Sequence, residues 1–227
     1  LVAAAIEALL EAAERPQRIE LLLYEIDHRL IPALHQLCNS LRAKCAARGV
    51  TLDHKVLQED FLLSAIALQQ QPLVDLIIGN PPYFKLPKQD PRVAAHAYAV
   101  WGQPNIYALF MAACAGLLRA GGRYCFITPR SWMSGPYFAA MRRHLLAQIR
   151  LDALHVFDSR SAHFSEDRIL QEAVITWGTA RAQADHIVIS SSHGAHDLDN
   201  AHMQKLPMTQ LIGSQNGRVI RFPATGA

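Results

Sequence analysis

No apolar run in this 227-residue chain is long enough to cross a bilayer as a helix, and none of its four cysteines stands in a close C-x-x-C pair. The first absence argues against a membrane-spanning protein. The second argues against a disulfide scaffold or zinc ribbon: Cys38, Cys45, Cys114 and Cys125 all fall in apolar-periodic segments, as reduced core thiols of a cytoplasmic protein do. Among eleven histidines, only His193-Gly-Ala-His196 has anything like ligand spacing, and it lies in a polar stretch without ordered cysteines or carboxylates, so no metal is expected. A strong charge imbalance is also missing. Twenty-two Lys and Arg against nineteen Asp and Glu give +3, which tolerates a nucleic-acid partner without arguing for one. The apolar start, Leu1 to Leu10, has no basic segment before it, and Glu7, Glu11 and Glu14 recur at helical spacing, so it reads as an amphipathic helix and not as a signal core.

What is present is an alternation of helical stretches with short apolar runs. Helices are predicted over Leu1–Ala13, Leu30–Ala47 (closed by Arg48-Gly49), Asn105–Leu118 (ended by Gly121-Gly122) and Pro136–Ile149. Strands are predicted at Ile19–Tyr24, Val56–Leu57, Leu73–Ile78, Arg123–Thr128, Leu151–Phe157, Ile169–Trp177 and His186–Ser190, with a polar loop over Ser190–Asn200. Alternation of this kind implies an α/β fold: a mostly parallel sheet covered by helices on both faces. The two late strands, joined without a helix, predict an antiparallel hairpin at one edge. In such folds ligands bind beyond the carboxyl ends of the strands.

Four strand ends carry suggestive residues. Glu25, past Tyr24, can accept from both hydroxyls of a ribose, or be a solvated loop acid. Asp60-Phe61 can hold an adenine by its exocyclic amine and its ring face, or be a helix N-cap followed by a core residue. Asn80-Pro81-Pro82-Tyr83, after a buried strand, is far more specific: a chance match to [Asn/Asp/Ser]-Pro-Pro-[Tyr/Phe/Trp] is roughly a one-in-a-few-hundred event at average usage. Two prolines can simply end a strand. They also fix the backbone and strip it of N–H groups, leaving the Pro81 carbonyl as an acceptor beside the Asn80 side chain. Two acceptors suit an amino group with two hydrogens, and Tyr83 can stack on the base that carries it. Phe164, in the loop between the late strands, can close the other face of such a base or be plain packing.

The order of these motifs resembles the amino-methyltransferases of restriction–modification systems, in the group whose cofactor motifs precede the catalytic one. Further likeness lies in Asn105-Ile106-Tyr107, in Gly121 to Pro129, in Ser131-Trp132, in Gly135-Pro136-Tyr137-Phe138, and in Phe164 with Ile169-Leu170-Gln171-Glu172. The resemblance covers nearly all of the chain. It implies a Rossmann-like methyltransferase fold and S-adenosylmethionine as cofactor, with Glu25 on its ribose and Asp60 and Phe61 on its adenine. It implies a catalytic role for Asn80, Pro81, Pro82 and Tyr83 and target-base stacking by Tyr83 and Phe164. The implied reaction is methylation of the exocyclic N6 of an adenine flipped out of double-stranded DNA, with a cognate or fused restriction endonuclease as a possible partner and no membrane.

Two motifs of that family are not in the chain. A glycine-rich cofactor turn after the first strand is expected upstream of Leu1, and a DNA-recognition domain after about residue 225. The chain opens without Met inside a helical pattern, so the expectation is a fragment lacking the first strand and inactive by itself: a methyltransferase domain over 1–180, incomplete at its start, and an extension over 181–227. Protein-glutamine and RNA amino-methyltransferases use the same or closely related tetrapeptides, cytosine is an alternative base, and a non-catalytic methyltransferase-like module is a further reading.

Overall fold

The computed structural model describes residues 1–68, 74–157, 173–182, 185–213 and 219–221. They form two compact units, 1–64 and 65–227.

The first unit holds helix α1 (Val2–Glu11), strand β1 (Arg18–Tyr24), helix α2 (Ile31–Ala46), strand β2 (Thr51–Leu57) and the start of helix α3 (Phe61–Leu68). β1 and β2 pair in parallel from Arg18↔Thr51 to Tyr24↔Leu57, so their carboxyl ends lie side by side. A β-α-β connection of this kind buries one face of its helix. Ile6 and Leu10 of α1 join Leu41 and Cys45 of α2, Val50, and Leu52 of β2 in one core cluster. Gly49, at φ +72°, takes the left-handed conformation that closes α2, as the Arg48-Gly49 signal predicts, and its N–H bonds the Ala46 carbonyl. β2 begins five residues before its predicted start. Thr51, Asp53 and Lys55 interrupt the apolar pattern there, because only one side of the strand is covered.

The second unit is built on a six-stranded sheet in the order β3-β4-β6-β5-β7-β8. The strands are β3 (Val74–Gly79), β4 (Leu118–Pro129), β5 (Ile149–Phe157), β6 (Ala173–Ala180), β7 (His186–Ser192) and β8 (His202–Pro207). Helices α4 (Pro91–Ala95), α5 (Ile106–Leu117), α6 (Ala139–Gln148) and α7 (Met208–Leu211) accompany it. β3–β4 and β5–β7 are parallel, whereas β4–β6, β5–β6 and β7–β8 are antiparallel. The predicted α/β architecture is observed, with an antiparallel pair at one edge. That edge pair is β7 with β8, not the β5–β6 pair that the sequence pointed to. β6 instead slots between β4 and β5, and pairs with both. Past residue 180, β7 continues the sheet in parallel register with β5.

The Gly121-Gly122 pair is also placed differently. α5 passes directly into β4 at Leu118, and the glycines lie inside the strand. There the register against β3 jumps from Val74↔Leu118 to Leu76↔Arg123, a bulge that Gly121 accommodates at φ +80°. α5 itself is apolar nearly all round and buried at almost every position. β8 escaped sequence reading because it is an exposed edge strand without apolar alternation. The Ile169–Glu172 part of the predicted late strand lies outside the described residues. Among the described residues, no helix is long and apolar enough to cross a membrane.

Gly178 of β6 shows how tightly the interior strand is held: a Cβ there would come within 2.7 Å of the Arg150 carbonyl and 2.4 Å of an Ile149 methyl. Gly178→Ala is expected to lower stability by about 1–3 kcal/mol through overpacking, read as a fall in the thermal midpoint. An unchanged midpoint would contradict this packing.

Candidate functional site

In the first unit, the two candidate cofactor segments follow the adjacent ends of β1 and β2. Glu25 is half-buried; its backbone N–H donates to the Leu57 carbonyl, and its Oε1 accepts from the Asp27 N–H at 2.8 Å. Asp27 in turn accepts from Arg29, which holds its carboxyl below the usual carboxylate range. After β2, Asp60 Oδ1 accepts from the Leu62 N–H at 2.9 Å, and its carbonyl accepts from Leu63 and Ser64. That is the helix N-cap considered as its plain role. Phe61 meets Tyr24 edge to face, with centroids 5.3 Å apart, so the two strand ends are tied by their rings. Glu25, Asp60 and Phe61 thus share the carboxyl end of one parallel strand pair.

In the second unit, Asn80 to Tyr83 follow β3. β3 ends at Gly79, where a Cβ would stand 2.4 Å from Cε1 of the Phe126 ring. Only a glycine lets the strand end lie so close against the edge of that ring, which itself stacks on Tyr124 at 4.6 Å in the core. Asn80, one residue on, is exposed, Pro81 is buried and Tyr83 is half-buried. The Tyr83 hydroxyl lies 2.6 Å from Asn80 Oδ1 and 3.0 Å from the Ile127 carbonyl, two acceptors for its one hydrogen. Asn80 and Tyr83 are therefore locked to each other and to the neighbouring strand β4. Burial pushes the Tyr83 phenol up to about 12.

The Tyr83 ring is fixed from the side as well. Tyr107 of α5 meets it edge to face at 6.1 Å, and Tyr107 stacks on Phe138 at 5.6 Å while its hydroxyl shares a 2.8 Å hydrogen bond with Ser131. The buried Arg142 holds the following turn by donating to the carbonyls of Trp132 and Gly135, both at 2.7 Å. Past Tyr83 the chain forms a small ribbon with the segment entering α5. The Ile106 N–H donates to the Phe84 carbonyl, Lys85 bridges to Asn105, and the Leu86 N–H donates to the Pro104 carbonyl.

The structure thus brings Asn80, Pro81, Pro82 and Tyr83 together at the end of β3, and Glu25, Asp60 and Phe61 together at the ends of β1 and β2. Phe164, with the rest of 158–172, lies outside the described residues. Sequence reasoning noted Tyr107, Ser131 and Phe138 only as matching segments; their role as supports of Tyr83 emerges from packing. The Ile127 carbonyl had no signal in the sequence, since any residue would provide it.

The helix-linked parallel strand pair β1–β2 of the first unit, and the helix-flanked sheet of the second with its parallel pairs β3–β4 and β5–β7, have the Rossmann-like methyltransferase architecture. Residues 17–164 match the Eco57I restriction-modification methylase family, and the chain belongs to that family. Over 198 residues it is 29% identical to the type II methyltransferase M.PstI of Providencia stuartii, covering 85% of this chain and 39% of that protein. The chain therefore spans about two fifths of that relative. Among solved structures, the type IIG restriction endonuclease BpuSI superposes with a TM-score of 0.63 at 14% identity, over 92% of this chain and 30% of that one. A class I S-adenosylmethionine-dependent methyltransferase from Listeria monocytogenes gives 0.54 at 12% identity, over 85% and 63%. At such identities the superpositions speak for the fold.

Tyr83→Phe keeps the ring and removes the donor, so a stability loss of about 1 kcal/mol is expected. The phenol also makes stability depend on pH. Its folded pKa stands above its unfolded value of 10, so its contribution is fully present below pH 10 and is lost as pH rises to about 12. Ultraviolet titration and thermal melts across that range should show a smaller alkaline loss for Tyr83→Phe than for the parent; identical curves would contradict the burial of Tyr83.

Proposed function

We propose that the protein is an S-adenosylmethionine-dependent DNA methyltransferase of a restriction–modification system, acting on the exocyclic N6 amine of adenine. The observation that carries this reading is the Asn80–Tyr83 lock at the end of β3: an exposed amide whose oxygen is held in place, beside a ring fixed by Tyr107. Family membership and the likeness to M.PstI support it.

The acceptors of the first unit suit the proposed cofactor. Glu25 spends one oxygen on the Asp27 amide, and an ionised carboxylate offers further lone pairs to a ribose diol. Asp60 and Phe61 stand at the neighbouring strand end for the adenine, Asp60 serving the helix cap as well. When bound, S-adenosylmethionine supplies an electrophilic methyl group on a positively charged sulfur.

The adenine amine is a poor nucleophile, because its lone pair is delocalised into the ring. Asn80 Oδ1 accepts from Tyr83, and a carbonyl oxygen has a second lone pair with which to accept from the amine. The Pro81 carbonyl accepts the other amine hydrogen. Together they favour a pyramidal nitrogen and stabilise the positive charge that develops on it. Tyr83 stacks on the base; Phe164, which the family resemblance assigns to its other face, lies outside the described residues. The methylated amine, cationic and strongly acidic, releases its extra proton to solvent, so the remaining requirement is alignment and no general base of tuned pKa is needed. A base inside a duplex cannot reach such a site, which implies extrusion of the adenine.

Transfer of tritiated methyl groups to DNA, RNA and release factor by the intact protein tests the reading: DNA is expected to be labelled, and labelling of release factor alone would overturn it. Asn80→Ala is expected to lower kcat about 10²–10³-fold while leaving cofactor affinity within a few-fold. Equal losses of both would make Asn80 structural.

A further inference from the structure

The chain has no acidic residue between Asp90 and Asp152, while seven arginines fall in that interval. The flanking acids are taken. Asp90 is paired with Arg92 at 2.6 Å, and Asp152 with Arg150 at 2.6 Å and Arg123 at 3.6 Å. Asp75, at the start of β3, pairs with Arg119. These partnerships except Asp90–Arg92 sit at the amino ends of β3, β4 and β5. At the carboxyl end, Lys85, Lys88 and Arg130 are exposed, and the only acid on the loop that follows Tyr83 is the engaged Asp90.

Exposed aromatic rings collect on the same loop and its neighbour. Trp101 is 67% exposed, Tyr137 55%, Phe84 48% and Tyr98 41%. Trp101 and Tyr137 line one shallow hollow with Gln103 and Asn105. Trp101 is not on a loose tip. Gly102, at φ +75°, turns the chain behind it, and a Cβ at Gly102 would stand 2.4 Å from the Tyr137 ring, so that ring lies directly against the turn. Tyr137 adjoins Phe138, which stacks on Tyr107, whose edge meets Tyr83. The Phe84–Leu86 and Pro104–Ile106 ribbon links Trp101 to Tyr83 by a second route.

We propose that Trp101, backed by Tyr137, is a DNA-contacting residue that stacks on a base beside the extruded target, with Lys85 and Lys88 on the flanking phosphates. This rests on the DNA-methyltransferase reading above. An exposed aromatic on a segment that carries exposed lysines and whose one acid, Asp90, is ion-paired matches a nucleic acid, whose bases offer π-faces and whose backbone repels carboxylates. The backbone ribbon and the Tyr137–Phe138 segment join the Trp101 turn to Tyr83, so the proposed stack falls beside the ring proposed to receive the target.

The test uses the intact protein and a duplex carrying its modified site, with 2-aminopurine at the target adenine. Trp101→Ala is expected to weaken DNA binding about tenfold and lower the fluorescence of the bound complex, with thermal stability unchanged because the indole is exposed. Trp101→Phe is expected to retain most of both. Lys85→Ala with Lys88→Ala should reduce the slope of log K against log salt by about 1.8. Wild-type affinity and fluorescence in Trp101→Ala would overturn this inference alone. So would equal losses in Trp101→Ala and Trp101→Phe, or a fall in thermal stability without loss of affinity, which would mark a ring covered by protein. Failure of the wild-type protein to bind or methylate DNA would overturn the functional reading with it.

Discussion

The contact of Gly79 with the Phe126 ring sets everything that follows β3. The ring is fully buried, stacked on Tyr124 and fixed in β4, and the strand end lies against its edge with no room for a methyl group. Because the backbone is pinned at Gly79 on one side of Asn80 and restricted by Pro81 and Pro82 on the other, Asn80 emerges at one position. Tyr83 then folds back to reach both Asn80 and the Ile127 carbonyl on the strand that carries Phe126. The orientation of the Asn80 amide is thus set by a packed core, which suits the proposed role, since a polar group that needs no reorganisation stabilises a developing charge best.

The aromatic chain from Tyr83 through Tyr107 and Phe138 extends this rigidity outward. Edge-to-face and stacked contacts of this kind contribute about 0.5–1.5 kcal/mol each beyond burial, enough to hold a half-exposed ring without immobilising it by hydrogen bonds alone. The buried Arg142 serves the same loop from below. Its guanidinium replaces solvation with two backbone carbonyls, so the turn that carries Tyr137 and Phe138 is fixed by donors that a loop could not supply for itself.

The early strands show a similar economy. Asp60 caps α3, and the cap geometry places its carboxylate at the helix start with Phe61 turned onto Tyr24. The plain and the functional readings of that residue are therefore compatible: an N-cap fixes where a carboxylate stands. Glu25 is likewise fixed by the Asp27 amide.

The sequence alone determined the elements whose residues carry a period or a stop signal. β1, α2 with its Gly49 closure, β3 and the buried α5 were legible because burial on one face, or all round, dictates residue type locally. Asn80-Pro81-Pro82-Tyr83 was legible because prolines and a following aromatic are rare together and their chemistry is local. Tertiary structure alone decided the rest. β6 lies between β4 and β5 and β8 at the edge because strand order follows from pairing, which no single strand's pattern encodes. Gly121-Gly122 reads as a helix stop in sequence, yet it relieves a bulge where β4 must keep register with β3. The Ile127 carbonyl and the supports behind Tyr83 were invisible for the same reason: a backbone group or a core ring acquires its role from what is packed against it.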